Sequence, residues 1–415
     1  MEMSKNPFLS KSFVEIWSKH FNGSTIPNRF QFIRDIVFVK ANTLDYYINV
    51  GKNLTNGIPY HLLDDQYDDY KGKAFLIRDL PEYLVIGKPR GKRLKVKKVS
   101  QYEGYLTRID HYDSLEHYLK TIYRSNTRSK LRRNMSRLET CFEVEYIMYY
   151  GDISSNEFKY VFDTFYNLLE KRYQDKNEPC GELEPKLWNY YCELAFQMIN
   201  EKTASLFVIY CDGRPIGVTF SYHFESYLME ALTVFDIDFY RFNIGHTTIL
   251  KMLEWSFNNG ITTFDYTQGD FEYKKRWSDT TYETFYHVLY DSKSIKKVLL
   301  ANGLVSYFRL KRFFRDQKFN EKYHQMKHQI LPKNKQKRVT RDNFSIELIS
   351  DEQLHLGKLE SVELYGNHFD SQRRVLFDFL YMNPESVKQL KVYKKNDSLF
   401  YVKGQKNLYK MVKND

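Results

Sequence analysis

The residues best equipped for chemistry lie between Tyr227 and Tyr290, centred on TTFDYTQGDFEYKKRW, Thr262 to Trp277. That run brings Asp265, Gln268, Asp270, Tyr273, Lys274 and Trp277 close together in sequence. Upstream, Arg241-Phe242-Asn243-Ile244-Gly245-His246, followed by Thr247, opens a helix. A helix start offers N–H groups without intrahelical partners and the positive end of a dipole, which suits a pyrophosphate. The order of elements fits a protein that holds a phosphate-bearing cofactor at a helix start and delivers its reactive end beside a strand edge. Plainer roles are open to each residue. Tyr273 and Trp277, four apart, can share a core-facing side, and Asp270 with Lys274 can form a helix pair worth about 0.3 kcal/mol. Asp265 can cap the next turn, Gly269 can serve turn geometry, and Glu230 can face solvent from its strand.

Positioning these groups takes a particular set of elements. Residues 114–139 read as two helical pieces with a break at Ser125-Asn126, the second carrying Arg128, Lys130, Arg132, Arg133 and Arg137. A strand at 141–150 and amphipathic helices at 155–174 and 187–202 follow. ASLFVIY, VTFSYHF and YLMEALTVF form a three-strand meander, with turns at Asp212-Gly213 and Glu225-Ser226. Residues 236–260 are loop then helix, with Asn243 as N-cap and Asn259-Gly260 as the stop. ITTFDYT is a strand, Gln268-Gly269-Asp270 a sharp turn, FEYKKRW a short helix, and YETFYHVLY a last strand. Nearer the N-terminus, Phe13, Ile16, Trp17 and Phe21 recur at helical spacing. Apolar runs at 35–39, 45–50, 59–63 and 74–78 indicate a small α/β unit. Residues 87–100 read as a solvated strand edge guarded by lysines.

Composition sets outer bounds. A chain of 415 residues, 42% hydrophobic and 28% charged, is that of a globular protein with two or three domains. Cys141, Cys180, Cys192 and Cys211 form no CxxC pair and have no His at ligand spacing, so neither a metal site nor a disulfide framework is expected. The opening MEMSKNPFLSKSF lacks the unbroken apolar core of a signal peptide, and no run approaches the ~18 apolar residues of a membrane span. The expected location is cytoplasmic, with a peripheral position at the inner face of the membrane as a variant. The net charge of +11 is local: residues 293–338 hold 14 Lys or Arg against two acids, and smaller clusters sit at 88–98 and 124–137.

The order of elements over 113–292 resembles the GNAT acyltransferase fold, a mixed α/β sheet. The glycine loop departs from that superfamily's Gln/Arg-x-x-Gly-x-Gly/Ala by lacking the first glycine. The stretch 236–277 resembles the CelD-type, cellulose-biosynthesis-type acetyltransferase family more specifically. Gly245, Asp265, Gly269, Asp270, Tyr273, Lys274 and Trp277 carry that likeness, and PFLSKSFVEIW matches its opening. The family is related to the Fem-type aminoacyl transferases of peptidoglycan bridges, which pair two such domains, so residues 1–112 are read as an N-terminal α/β region, a candidate degenerate GNAT-like half. The resemblance implies N-acyl transfer from acyl-CoA, acetyl-CoA first, or from an acyl carrier protein. The acceptor would be an amine of an amino-sugar or amino-lipid in envelope or surface-polysaccharide assembly, attacking directly without a covalent enzyme intermediate or a metal. An aminoacyl-tRNA donor and a non-catalytic GNAT-like binding protein are the alternatives. An attacking amine must lose a proton and the leaving thiolate must gain one. Tyr273 is then the candidate acid, and Asp270, Glu230 and Glu225 are the candidate bases. A backbone N–H near Thr233–Phe235 would meet the oxyanion. Arg241, Asn243, Ile244, Gly245, His246 and Thr247 would hold the cofactor, and Asp265, Gln268, Lys274 and Trp277 the acceptor.

Residues 293–343 are expected to form a basic amphipathic arm and linker, with helices interrupted near Asn302-Gly303. Its greasy side, Leu304, Tyr307, Phe308, Phe313 and Phe314, could pack on the catalytic domain. It also suits an anionic membrane or an acidic acyl carrier protein. Nucleic acid has no readable motif here beyond tRNA in the aminoacyl-transfer alternative. Residues 344–415 read as a small α+β appendage, helix-like through QLHLGKLESVELYG and RRVLFDFLYM.

Overall fold

The computed structural model describes residues 6–23, 26–52, 54–55, 57–63, 67–84, 86–87, 92–317, 344–349, 359–366, 369–405 and 407–414. In chain order come α1 (Lys11–Phe21), β1 (Ile33–Arg34), β2 (Phe38–Lys40), β3 (Tyr47–Asn49), β4 (His61–Leu62), β5 (Ala74–Pro81) and β6 (Leu94–Arg108). Next are α2 (Leu115–Ile122), α3 (Ser125–Cys141), β7 (Val144–Tyr149), α4 (Ser155–Lys176) and α5 (Pro185–Asn200). The meander β8 (Ala204–Cys211), β9 (Arg214–Phe224) and β10 (Tyr227–Phe235) leads through a 3₁₀ segment, Ile237–Phe242, into α6 (Ile244–Asn258). Then follow β11 (Thr263–Gln268), α7 (Glu272–Trp277), β12 (Thr280–Asp291) and α8 (Ile295–Asp316). A C-terminal unit holds β13 (Phe344–Ile349), β14 (Glu360–Val362), α9 (Asp370–Met382), β15 (Lys391–Asn396), β16 (Leu399–Lys403) and β17 (Leu408–Lys413).

Ten strands form one mixed sheet in the order β2-β3-β5-β12-β6-β11-β10-β9-β8-β7, with β3/β5 and β10/β11 parallel. Strands from both 1–112 and 113–292 therefore share a single sheet. Local sequence explains the elements. Ser154 and Ser114 cap α4 and α2 by accepting from Glu157 N and His117 N, both at 3.2 Å. Asp212 and Gly213 both take positive φ, 50° and 74°, as a type I′ hairpin needs. One apolar cluster lies under α1, α4, α5 and α8. A second lies under α2, α3 and α6 and continues into the C-terminal unit through Phe369, Phe377, Tyr381 and Phe400. Among the described residues no helix is long and apolar enough to cross a membrane.

Several local expectations change. The lysine-bearing half of β6 pairs with β12 alone, as a guarded edge should, but Gly104–Arg108 also pairs with β11 and lies inside the sheet. α8 runs unbroken through Asn302-Gly303, because Ala301, Leu304 and Val305 bury on either side of them. The expected greasy side of that helix divides: Leu304 and Phe308 bury, whereas Tyr307, Phe313 and Phe314 are exposed. Residues 318–343 of the arm lie outside the described residues. In the appendage, Glu360–Val362 is a strand paired with β15 rather than part of a helix, and residues 353–358 fall outside the described residues.

Candidate active site

β10 and β11 pair only over Tyr227–Met229 against Thr263–Asp265, yet β10 continues to Phe235 and β11 to Gln268. A bulge in β10 between Glu230 and Leu232 and a register shift in β11 between Asp265 and Gln268 accompany this parting. Two adjacent parallel strands that separate midway leave a cleft lined by backbone. Asp236 N–H bonds back to Ile216 O of β9 at 2.7 Å. Strand alternation then turns the Thr233 and Phe235 N–H groups toward the cleft.

At that parting, the Tyr273 hydroxyl of α7 donates to Glu230 Oε1 of β10 at 2.9 Å. Glu230 is 5% exposed. Its pKa is raised by burial, against the pull of Lys274 and of the tyrosine bond. The Tyr273 pKa is raised by burial and by the Glu230 carboxylate, with Arg172 opposing. Lys274 is buried and donates to Gln268 O at 2.8 Å. Burial pushes the pKa of its ammonium down, while Glu230 and Asp265 pull it back up. A carboxylate, a phenol and an ammonium drawn from sequence positions 230, 273 and 274 thus share one dry site.

Beneath them Asp265, fully buried, accepts from Tyr282 OH (2.8 Å), Tyr83 OH (2.8 Å) and Thr267 N–H (2.7 Å). Thr267 has φ 62°, which a β-branched residue rarely adopts. Such strain, about 1–3 kcal/mol, persists where the surroundings enforce it. Gly269 at φ 121° completes the turn. The buried Gln268 Oε1 has no hydrogen-bond partner among the described residues.

The start of α6 adjoins the same cleft. Asn243 occupies the cap position with φ 57°, but its side chain makes no capping bond. Its backbone oxygen accepts instead from His246 N (3.0 Å) and Thr247 N (3.2 Å). A Cβ on Gly245 would sit 3.2 Å from the Phe235 ring, and the Arg172 guanidinium lies 4.8 Å from the centre of that ring. Ile244 and Thr247 are buried. His246 Nδ1 accepts from Trp277 Nε1 at 2.9 Å, and burial, Arg276 and Lys130 lower its pKa. Arg241 is exposed and faces Asp378 of α9 at 3.7 Å.

The remaining expected residues fall elsewhere. Asp270 is exposed and pairs with Lys275 at 2.5 Å, while Tyr273 bonds Glu230. Glu225 sits exposed in the β9–β10 turn at φ 51°, five residues and about 16 Å of strand from Glu230. Trp277 is fully buried: its carbonyl accepts from Thr107 Oγ1 at 2.7 Å and its indole anchors α7 to α6. Tyr83, Tyr282 and Arg172 were not expected here; they meet the site across long sequence separations that no local pattern reveals.

The parallel strand pair thus opens around a buried acid–phenol pair next to a helix start, which forms the candidate site. Residues 125–275 match the family described as Acetyltransferase (GNAT) domain, and the chain carries a GNAT-type acyltransferase domain. Among solved structures, FemX aligns over 72% of this chain and 98% of its own, at 13% identity and a TM-score of 0.47. The C-terminal domain of a putative lysylphosphatidylglycerol synthetase from Agrobacterium fabrum aligns over 73% and 95%, at 11% identity and 0.42. A conserved protein of unknown function from Bacteroides thetaiotaomicron aligns over 69% and 92%, at 14% identity and 0.42. No curated protein sequence matches significantly.

Proposed function

We propose that the chain transfers an acyl group from acyl-CoA to a primary amine, by direct attack of that amine on the thioester. The observation that carries this reading is the Tyr273–Glu230 bond at the point where β10 and β11 part. The residues present fit a thioester donor: strand N–H groups at Thr233 and Phe235 turn toward the cleft, and the buried Gln268 Oε1 of β11 has no hydrogen-bond partner among the described residues. The start of α6 at Asn243–His246, with Arg172 beside it, would hold the phosphates. The acceptor class, an amino-sugar or amino-lipid of envelope or surface-polysaccharide assembly, follows from the resemblance over 236–277.

Glu230, whose pKa burial raises, is a stronger proton acceptor than an exposed carboxylate. Tyr273 donates to it and can relay the proton released by the amine. As the C–N bond forms and the C–S bond breaks, Tyr273 returns a proton to the departing thiolate. The Thr233 and Phe235 N–H groups meet the oxyanion between those steps. Lys274 keeps Glu230 ionisable inside a dry site and fastens the strained turn.

The test is thermal stabilisation by CoA together with thiol release from acetyl-CoA offered candidate amines, for the parent and Glu230→Gln. Stabilisation by CoA, and release that falls about a hundredfold in the variant, are expected. Equal release by both would remove Glu230 from the reaction. One observation favours a second reading: Arg124 at the cap of α3 and Lys130, Arg132 and Arg133 along it are exposed, and Lys130 lies near enough to His246 to act on its pKa. A donor with more phosphates than CoA, an aminoacyl-tRNA, would use that face. Stabilisation by aminoacyl-tRNA but not by CoA would select it.

A further inference from the structure

α8 is amphipathic in an unusual sense, because both of its faces are apolar. Its inner face buries Ala301, Leu304, Val305 and Phe308 against the sheet. Phe308 meets Tyr286 edge-on at 4.9 Å, Lys297 donates to Asp45 O at 2.7 Å, and Arg315 lies 3.7 Å over Tyr102. The helix is therefore pinned, and its outer face cannot turn inward. Ile295 and Phe313 each lie nine residues from the buried Leu304, about 2.5 turns, and so occupy the opposite pole. They are 77% and 55% exposed, and Leu299 and Leu310 between them are 65% and 54% exposed. Surface helices ordinarily place charge at that pole.

Charge flanks this stripe with one sign. Lys296 and Arg309 are exposed on either side of it, and among the described residues neither pairs with a carboxylate. The sole acid of α8, Asp316, is at its end and faces Arg312 and Arg315. Residues 318–343 carry eight Lys or Arg against two acids, so the following chain has the wrong sign to complement this face. We infer that the outer face of α8 is a docking surface for an anionic lipid bilayer, with Ile295, Leu299, Leu310 and Phe313 entering the acyl boundary and Lys296 and Arg309 at headgroup level. The apolar positions span about 27 Å of straight helix from Ile295 to Phe313, as two patches with Asn302 and Ser306 between them at the same pole. A flat interface engages both patches at once, whereas a small acidic protein would meet only part. The inference does not depend on the reaction the domain performs.

The test uses the full chain and sedimentation with vesicles of phosphatidylglycerol and phosphatidylcholine in equal parts, against phosphatidylcholine alone. Binding only to the anionic vesicles is expected. The triple change Leu299→Glu, Leu310→Glu and Phe313→Glu, at exposed positions, should lower partitioning about tenfold or more, as should Lys296→Glu with Arg309→Glu. A control with the same change in net charge as the α8 charge variant, Lys391→Glu with Lys395→Glu on the C-terminal unit, should bind within about twofold of the parent. Circular dichroism melting of each variant confirms that it is folded. No sedimentation with anionic vesicles would overturn the inference, as would stripe variants that bind like the parent. A control that loses as much as the α8 charge variant would reduce the effect to bulk charge. Capture of an acidic carrier protein by α8 without vesicle binding would assign the face to that partner instead.

Discussion

The Tyr273–Glu230 pair makes a pH prediction with a definite sign. Glu230 must be ionised to accept a proton, and burial raises its pKa while Lys274 restrains the rise. Acyl transfer should therefore climb with pH through that raised value, and Glu230→Gln should flatten the limb. Lys274→Met removes the restraining cation, so the limb should move to higher pH; a limb that stays in place would show that Lys274 only fastens the turn. Tyr273→Phe should lower kcat about a hundredfold with little effect on donor KM. At this scale sequence and structure agree where spacing put a residue on a short element of known direction. Tyr273 and Lys274 follow from FEYKKRW, and Glu230 from its place on the meander. Asp270 and Glu225 did not come to the phenol, because a turn points one to solvent and a hairpin end carries the other away. Tyr83 and Tyr282, which hold Asp265, were illegible: each reaches it across the sheet, from another strand or the loop after β5.

Among elements, the contact between α9 and the segment before α6 is the least expected. Arg373 of α9, buried, donates to Asp370 at 2.7 Å and faces Asp238 at 3.4 Å. Lys171 of α4 donates to Asp238 at 2.6 Å and Asp236 at 2.7 Å. The Asp238 pKa is pushed up to about 6 by burial and by Asp236, against both cations. The 3₁₀ segment that delivers Asn243 and Gly245 is thus clamped between α4 and α9. Arg373→Ala strips one cation from a buried carboxylate, a change that costs about 3–5 kcal/mol where such a pair is fully buried. If the start of α6 holds the donor, the same change should raise donor KM more than it lowers kcat. An unchanged KM with lost stability would leave Arg373 a purely structural residue. The helix and its apolar face were readable from RRVLFDFLYM; the partner of that face was not, since nothing in a helix's own spacing names the surface it will cover.

The whole molecule is tied by a core that ignores the boundary at residue 343. Phe377 and Tyr381 of α9 meet Phe142, Phe239 and Phe242, with Phe239 and Phe377 ring centres 4.6 Å apart. Tyr381 OH also donates to the buried Asn134 of α3 at 2.7 Å. Sequence alone showed a basic, compositionally distinct stretch before residue 344 and hence a separable appendage; the apolar surfaces on either side of it could be recognised singly but not matched. Because the cluster under α3 and α6 continues into the C-terminal sheet, the two parts should lose structure together. Calorimetry should give one cooperative unfolding transition, and Phe377→Ala should lower the stability of the whole by about 3–5 kcal/mol. The same variant should weaken CoA stabilisation, since its ring supports Phe239 within the segment that leads to Asn243. Two resolved transitions, with only the smaller one moved by Phe377→Ala, would show that residues 344–414 fold as an independent unit and that the clamp on α6 is not built into the core.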